Sequence, residues 1–300
     1  EDVNTQVLEY QKGNVDYVDV DPSIYPVYSS NPQIKDQMHG FQPTGNYTLN
    51  LNAKTFPDPK VRQAIALSID RKSICESILH GTATVPTSYI PAGIIGHDET
   101  LPEFEYNPEQ AKALLAEAGY PDGQGFPTVE YMTNDAGYNK PLAEYLQSAW
   151  GELGVNTEIK IIEWASFTPT RRNGDYDIAR NGWVYDYDDP SNMLNLFEST
   201  NGNNDGRYNN PEYDALIASA RETVDKAEHY QLLHEAEQLL LNDMGMIPIA
   251  YNNDFWLQKP ELQGTWHSPY GYWYFMYASY GEAGQTEEAA PAEAETEASN

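Results

Sequence analysis

The sequence predicts an α/β fold in which an open sheet is built from strands joined by helical crossovers. Two observations support this prediction: strand and helix patterns alternate in the middle of the chain, and several helix starts are unusually clear. Runs rich in β-branched and aromatic residues predict strands at Val129–Met132, Thr157–Ile162 and Ile178–Trp183. Helical patterns over residues 140–153 and 164–171 separate these strands. Ligands of such sheets collect outside the carboxyl ends of the strands.

Three helix starts place an Asx residue, which can cap a helix, directly before a proline at the first helical position. The three pairs are Asp58-Pro59, Asn107-Pro108 and Asn210-Pro211. The helix that follows Asn107 is predicted to stop at Gly119. Asp225 begins another helix, in which Glu228 is placed to complete a capping box.

Both ends of the chain differ in pattern from its middle. Residues 8–19 predict a helix end, a glycine turn and a short strand, and residues 251–280 are strand-like and aromatic. Neither segment is long enough to bury a core alone, so we expect the two to pair as the remnant of a second lobe. The chain begins at Glu1 with neither an initiator Met nor a signal peptide, so we expect a processed protein or a fragment.

The composition excludes several classes of partner and chemistry. The formal net charge of −29 argues against nucleic acid and anionic membrane as partners, because both would repel the chain. Residues 281–300 contain six Glu, no Lys or Arg and no aromatic residue, which predicts a disordered tail. Cys75 is the only cysteine, so an intrachain disulfide and a thiolate metal cluster are excluded, and its apolar neighbours predict that it is buried.

The most informative segment is the acidic and aromatic run Trp183-Val-Tyr185-Asp186-Tyr187-Asp-Asp-Pro190. A carboxylate among aromatic rings can hold a ligand cation, because the rings exclude water and strengthen the charge pairing. A solvated acidic loop after an edge strand is the alternative. The predicted strand order places this run and Glu163-Trp164 at carboxyl ends that face one crevice, which favours a binding role.

Two arginines flank the same run and suggest the other end of a ligand. A guanidinium at Arg171 or Arg180 can hold a carboxylate bidentately, so the pair of charges with Asp186 would suit a zwitterion. The alternative for either arginine is a salt bridge with Asp175 or Asp177.

Two further chemical readings are possible but less favoured. The run Asn201-Gly-Asn-Asn-Asp205-Gly, with Glu212 beyond it, has the spacing of a calcium loop, although a polar loop ending in a helix cap fits it better. Asp186 and Glu163 could form a glycosidase acid/base pair. His229 and His234 are five residues apart and fall on different helix faces, so no shared metal and no cofactor is predicted.

The segment Asn50–Ile90, above all Lys60–Arg71, resembles the peptide-binding proteins of ABC importers, which are solute-binding proteins of family 5, of the oligopeptide and dipeptide type. Three more segments share this resemblance: Tyr106–Tyr120, Trp183–Pro190 and Tyr208–Asp214. The similarity runs in consistent order from about residue 3 to residue 280.

The resemblance implies a periplasmic-binding-protein-like fold of type II, cluster C, with a C-terminal lobe and an incomplete first lobe. It implies a monomeric substrate-binding component, not an enzyme, that captures oligopeptides between two lobes and delivers them to permease subunits in the membrane. The expected location is extracytoplasmic, in the periplasm or at the cell surface as a lipoprotein whose anchor lies outside this chain. Relatives with this fold that bind oligosaccharide, nickel or haem, and a hydrolase using the acidic cluster, are the alternatives.

The resemblance also assigns roles to single residues. Asp186 matches the aspartate that pairs with the α-ammonium of the peptide, and Trp164 matches a tryptophan that lines a side-chain pocket. Arg171 and Arg180 match arginines that meet peptide carboxylates. The remaining candidates for ligand contact are Trp183, Tyr185, Tyr187 and Asn252, the last of which stands, beside Tyr251, where the family has a tyrosine.

The resemblance divides the chain into four parts. These are residues 1–45 as a fragment of the first lobe, 46–250 as the C-terminal α/β lobe, 251–281 as the return segment of the first lobe, and 282–300 as a disordered acidic tail. Members of the family carry a large N-terminal portion that this sequence does not include. We therefore expect the chain alone to bind peptide weakly or not at all, and to expose apolar surface along the incomplete lobe.

Overall fold

The structure, a computed structural model, describes residues 3–98, 100–268 and 270–281, with the backbone alone for residues 41–44. The predicted disordered tail at 282–300 lies outside the described residues. Within the described ranges, no helix is both long enough and apolar enough for a membrane span.

The helices fall into the segments between the strands of a single large sheet. They are α1 (Val3–Gln11), α2 (Tyr25–Ser29), α3 (Pro59–Leu67), α4 (Arg71–Ser73), α5 (Pro108–Glu117), α6 (Asn139–Gly151), α7 (Trp164–Asn173), α8 (Ser191–Leu194), α9 (Pro211–Glu222) and α10 (Lys226–Asn242). A π-helical turn at Ile74–Ile78 continues α4. It carries Cys75, which is buried as predicted, and burial raises the pKa of its thiol to about 12.

The strands are dominated by two long ones that pair with each other. They are β1 (Tyr17–Asp19), β2 (Met38–Leu51), β3 (Ala83–Thr84), β4 (Val129–Asn134), β5 (Thr157–Ile162), β6 (Ile178–Val184), β7 (Ile247–Gln258), β8 (Leu262–Gln263), β9 (Trp266–His267), β10 (Trp273–Tyr274) and β11 (Ser279–Tyr280). The large sheet has the order β1-β7-β2-β6-β4-β5, with β3 also on β7. Strands β8 to β11 form two small hairpin-like pairs.

The parallel layer predicted from the alternating pattern is present. Strand β4 lies between β5 and β6 and is parallel to both, so the carboxyl ends of all three strands point the same way. Helix α6 connects β4 to β5, and α7 connects β5 to β6. Parallel neighbouring strands need crossover connections of this kind. The α/β layer of parallel strands joined by helical crossovers that the sequence predicts is thereby confirmed.

The helix caps agree with the sequence in all but one detail. The side chains of Asp58, Asn107 and Asn210 each accept a backbone N–H from the first turn of the following helix. Asp225 accepts the N–H of Glu228, as predicted. The reciprocal half of the capping box is wrong: the Glu228 carboxylate accepts the hydroxyl of Thr223 at 2.8 Å, and the backbone N–H of Asp225 donates to Thr223 Oγ1 at 3.4 Å.

The two terminal segments do pair. Residues 17–19 of β1 lie antiparallel to residues 256–258 of β7, and a small separate core forms between them. That core is built from α1, β1 and the end of β7, with Val7, Tyr10, Val20 and Leu257 among its members. The largest core lies on the other part of β2 and β7, and a further core is formed chiefly by α8, α9 and α10. The pairing of β2 with β7 is irregular between residues 41 and 45, where the strands pass from one core to the other.

Candidate ligand-binding site

The candidate site follows strand β6, because this strand extends beyond its parallel neighbour. Strand β4 pairs with β6 only at Ile178 and Ala179, whereas β2 pairs with β6 along its whole length. From Arg180 to Val184, no strand in the described part of the chain pairs with the edge of β6 that faces away from β2. An open strand edge presents backbone donors and acceptors to which an extended chain can bind.

Asp186 lies just past the carboxyl end of β6 and its side chain is exposed. Its carboxylate accepts a hydrogen bond from Nδ2 of Asn192, with Oδ2 and Nδ2 3.4 Å apart. Within the described ranges, no Lys, Arg or His forms an ion pair with it. The carboxylate therefore contacts an amide and carries a charge that no cation in the described part of the chain compensates.

The aromatic neighbours of Asp186 differ in how far they are exposed. Trp183 is half-buried, and its indole Nε1 donates to Oδ1 of Asn192 at 3.1 Å. Tyr187 is 48% exposed and lies beside Asp186. Tyr185 points the other way: it is 1% exposed and packs in the core with Tyr89, so the structure does not bring it to the surface that carries Asp186.

Arg180 lies at the opposite end of the open edge, between two aromatic rings. Its guanidinium carbon is 5.2 Å from the ring centroid of Tyr47 and 5.8 Å from that of Trp164. Its Nε is buried and has no hydrogen-bond partner among the described residues. Trp164 is 52% exposed and stacks on Phe167, which places an aromatic face beside this cation. Arg180 thus keeps an unsatisfied donor next to an exposed aromatic surface.

Arg171 is already engaged. Its Nε lies 2.8 Å from Oδ2 of Asp205, and the two side chains are only 12% and 4% exposed. Burial lowers the pKa of Arg171, and the neighbouring Asp205 charge opposes that shift without cancelling it. The predicted alternative, a salt bridge of Arg171 with an aspartate, is confirmed, but the predicted partner is wrong. Asp205 takes the place of Asp175 or Asp177, because the loop after α8 folds back over α7.

The loop with calcium-like spacing is a polar loop ending in a helix cap. Asp205 is occupied by Arg171, and Asn201 donates through Nδ2 to the carbonyl of Asn195 at 2.7 Å. Glu212 lies in the first turn of α9, which Asn210 caps. In the described part of the chain, no three His, Cys, Asp or Glu side chains are grouped as a metal site would need.

Asn252 lies in a separate place, in a cleft of about 620 Å³ beside strand β7. The cleft opens between the N-terminal segment, β7 and the turn before β10, and Asp21, Val184, Asp254 and Trp273 also line it. Asn252 is half-buried there, whereas the adjacent Tyr251 is buried and donates its hydroxyl to the carbonyl of Ser88 at 2.9 Å. Val184 is shared by this cleft and strand β6, so the cleft adjoins the open edge.

Sequence reasoning did not find Asn192 or Tyr47. Asn192 is 6% exposed and contacts both Trp183 and Asp186. Tyr47 is 1% exposed and carries the ring under Arg180. An asparagine after a proline is typical of any turn, and a tyrosine in a strand is typical of any core. Their contacts arise only when β2, β6 and α8 are brought together.

The turn that carries Asp186 is tied to helix α10 by His229, and this contact predicts a pH-dependent stability. Nδ1 of His229 lies 2.7 Å from the carbonyl oxygen of Ala220, and Nε2 lies 3.0 Å from Oδ2 of Asp189. Burial lowers the pKa of His229, but the hydrogen bonds to Ala220 and Asp189 outweigh it, so the pKa is raised overall. Since the folded pKa exceeds the unfolded one, the stabilisation is complete below about pH 6.5 and is lost as the pH rises through the folded pKa.

We therefore expect His229→Gln to destabilise the protein by about 1 kcal/mol at pH 5.5 and by less at pH 8. Thermal unfolding of both proteins at the two pH values measures this difference. His234→Gln is the matched control on the same helix, because its nearest carboxylate oxygen, on Asp98, is 3.9 Å away. A destabilisation by His229→Gln that is equal at both pH values would contradict the expectation.

Comparison with known proteins shows which family this chain matches. Residues 1–205 match the family model described as bacterial extracellular solute-binding proteins, family 5. The periplasmic oligopeptide-binding protein OppA of Escherichia coli strain K12 is 31% identical over 268 residues, which cover 87% of this chain and 49% of the relative. Heme-binding protein A of Haemophilus influenzae is 34% identical over 230 residues, which cover 74% of this chain and 42% of the relative.

Solved structures agree with these matches. OppA of Haemophilus influenzae, in complex with the peptide RPPGFSPFR, superimposes with a TM-score of 0.78 at 27% identity, over 93% of this chain and 56% of that one. The murein tripeptide-binding protein MppA of Escherichia coli superimposes with a TM-score of 0.77 at 28% identity, over 87% of this chain and 52% of that one. The chain thus spans about half the length of the relatives it matches.

Proposed function

Because the chain belongs to family 5 of the bacterial extracellular solute-binding proteins, we propose that it is part of a receptor that captures oligopeptides. In this proposal the receptor works outside the cytoplasm, in the periplasm or at the cell surface as a lipoprotein, and delivers its ligand to the permease of an ABC importer. The family and the named relatives are substrate-binding proteins, which supports a binding role without a catalytic step.

One observation carries the proposal: an open strand edge has a carboxylate at one end and a guanidinium at the other, and neither forms an ion pair among the described residues. An extended peptide has the matching features, namely a backbone that can add to a strand edge, an α-ammonium at one end and a carboxylate at the other. We assign the ammonium to Asp186 and the carboxylate to Arg180. Arg171 is not assigned to the peptide carboxylate, because Asp205 already compensates its charge.

The spacing of the two charges suits short peptides. Asp186 and Arg180 are six residues apart, which corresponds to roughly 20 Å along an extended strand. Two long or polar side chains can shorten that distance, so peptides of about three to five residues fit. Trp183, Tyr187 and Trp164 offer aromatic surfaces along this path that can accept varied side chains. Asn252 and its cleft would meet the side chains that point away from β6.

The proposal is tested with four forms of one tetrapeptide: unmodified, N-acetylated, C-amidated and doubly blocked. Isothermal titration against the full-length polypeptide measures each affinity. Acetylation is expected to weaken binding at least about tenfold, because it removes the charge that pairs with Asp186. Amidation is expected to weaken binding less, because an amide oxygen can still accept a hydrogen bond from Arg180.

Haem provides the control ligand, because one relative is named as a haem-binding protein. We expect no change in the haem absorbance spectrum at concentrations that saturate the peptide site. Two outcomes would overturn the proposal. In one, acetylated and unmodified peptides bind equally well; in the other, haem binds with micromolar affinity or better while no peptide does.

A further inference from the structure

We propose that Asn192 is a positioning residue that holds Asp186 and Trp183 in the geometry needed to receive a ligand cation. The inference rests on the proposed function, since it concerns the end of the site that Asp186 occupies. Asn192 lies outside the strand and outside the acidic run, on the short helix α8.

A single amide makes three contacts with the site. Its Oδ1 accepts the indole Nε1–H of Trp183 at 3.1 Å and the backbone N–H of Asp186 at 3.4 Å. Its Nδ2 donates to Oδ2 of Asp186 at 3.4 Å. The ring, the backbone and the carboxylate of the segment are thus all connected through one side chain.

The chemistry of these partners requires an amide at this position. Two of the contacts need an acceptor and the third needs a donor, and an asparagine side chain supplies both in one plane. An aspartate of the same shape would place a second negative charge 3.4 Å from Asp186. A leucine of similar volume would leave the indole N–H and one face of the carboxylate without a partner.

The amide is itself held rigidly. Asn192 is 6% exposed, and its neighbours Met193 and Leu194 are fully buried in the core beneath the site. Trp183 is fixed from its other side as well, because its backbone N–H donates to Oδ1 of the buried Asn46 at 3.2 Å. The carboxylate of Asp186 is therefore oriented before any ligand arrives, which reduces the ordering cost of binding.

A double-mutant cycle tests the inference, with Asn192→Leu, Asp186→Ala and the combined variant titrated against unmodified and N-acetylated tetrapeptide. Asn192→Leu is expected to weaken the unmodified peptide about tenfold. It is expected to weaken the acetylated peptide less, since only the contact with Trp183 is then lost, and to add a smaller loss in the Asp186→Ala background than in the unsubstituted protein. Equal losses for both peptides, or additive losses in the combined variant, would assign Asn192 a purely structural role and overturn the inference.

Other outcomes separate this inference from the proposed function. If Asp186→Ala leaves the affinity for the unmodified peptide unchanged, the proposed function fails. If Asp186→Ala weakens binding and Asn192→Leu does not, only the role of Asn192 fails. Should Asn192→Leu not fold, Asn192→Ser replaces it in the same cycle. The indole N–H resonance of Trp183 in an NMR spectrum reports directly on the lost hydrogen bond, and an unshifted resonance would also count against the inference.

Discussion

Asp186→Ala is expected to weaken peptide binding by roughly 2–5 kcal/mol, the range for removing one partner of a charge pair that is desolvated in a complex. The carboxylate is exposed in the structure and has no protein cation beside it among the described residues, so its pairing capacity remains for a ligand. Once a peptide covers it, water no longer screens the pair, and the ammonium left behind in the variant has no partner. Isothermal titration of the full-length protein with an unmodified tetrapeptide measures the loss.

Asp188→Ala is the matched control for this experiment. It removes the same charge from the same turn, and Asp188 is also exposed, but its Oδ1 accepts the backbone N–H of Ile95 at 3.0 Å. We expect Asp188→Ala to change the affinity by less than about 1 kcal/mol, since only its long-range charge is lost. Equal effects of the two substitutions would show that the acidic turn acts through its net charge. An unchanged affinity in Asp186→Ala would remove Asp186 from the site.

Asp205→Ala is expected to lower the free energy of unfolding by about 3–5 kcal/mol, because it leaves the buried guanidinium of Arg171 without its counter-charge. The two side chains are 4% and 12% exposed, so water can replace the lost carboxylate only in part. The substitution also loosens the contact between the loop after α8 and helix α7. Urea unfolding followed by tryptophan fluorescence measures the change in stability.

Two further variants serve as controls for the stability change expected of Asp205→Ala. Arg171→Met combined with Asp205→Ala removes both charges, so we expect it to recover part of the stability lost in Asp205→Ala alone. Glu130→Ala breaks the surface pair with Lys160, whose side chains are 35% and 42% exposed, and should cost at most about 1 kcal/mol. The expectation fails if Asp205→Ala costs no more than Glu130→Ala.

The elements that could be predicted are those governed by neighbours in the chain. Asn107 and Asn210 cap their helices because the donor lies two or three residues away, so the capping signal is contained in a short stretch. Strand β5 was predicted at its observed limits, because its β-branched residues lie between two turn signals. Even here, the carboxylate of Glu228 accepts a hydrogen bond from Thr223 and not from the predicted backbone N–H of Asp225, since two local donors compete within one turn.

The candidate site was predictable only along strand β6. Asp186 and Arg180 were selected because they flank one strand, and the structure places them at the two ends of its open edge. Tyr185 was selected on the same basis, but the alternation of the strand turns it into the core. Arg171 was considered with two nearby aspartates, whereas its partner is 34 residues away along the chain.

Most caps and the succession of helices and strands along the chain follow from interactions within one or two turns of chain, so local residue order specifies them. Three features depend on segments that meet only after folding: the lack of an ion pair for Arg180 among the described residues, the salt bridge of Arg171, and the amide contacts of Asn192. Whether a charged side chain is available to a ligand depends on which opposite charge lies within a few ångströms of it. That distance is set by the packing of β2, α7 and α8 around β6, which no local pattern encodes.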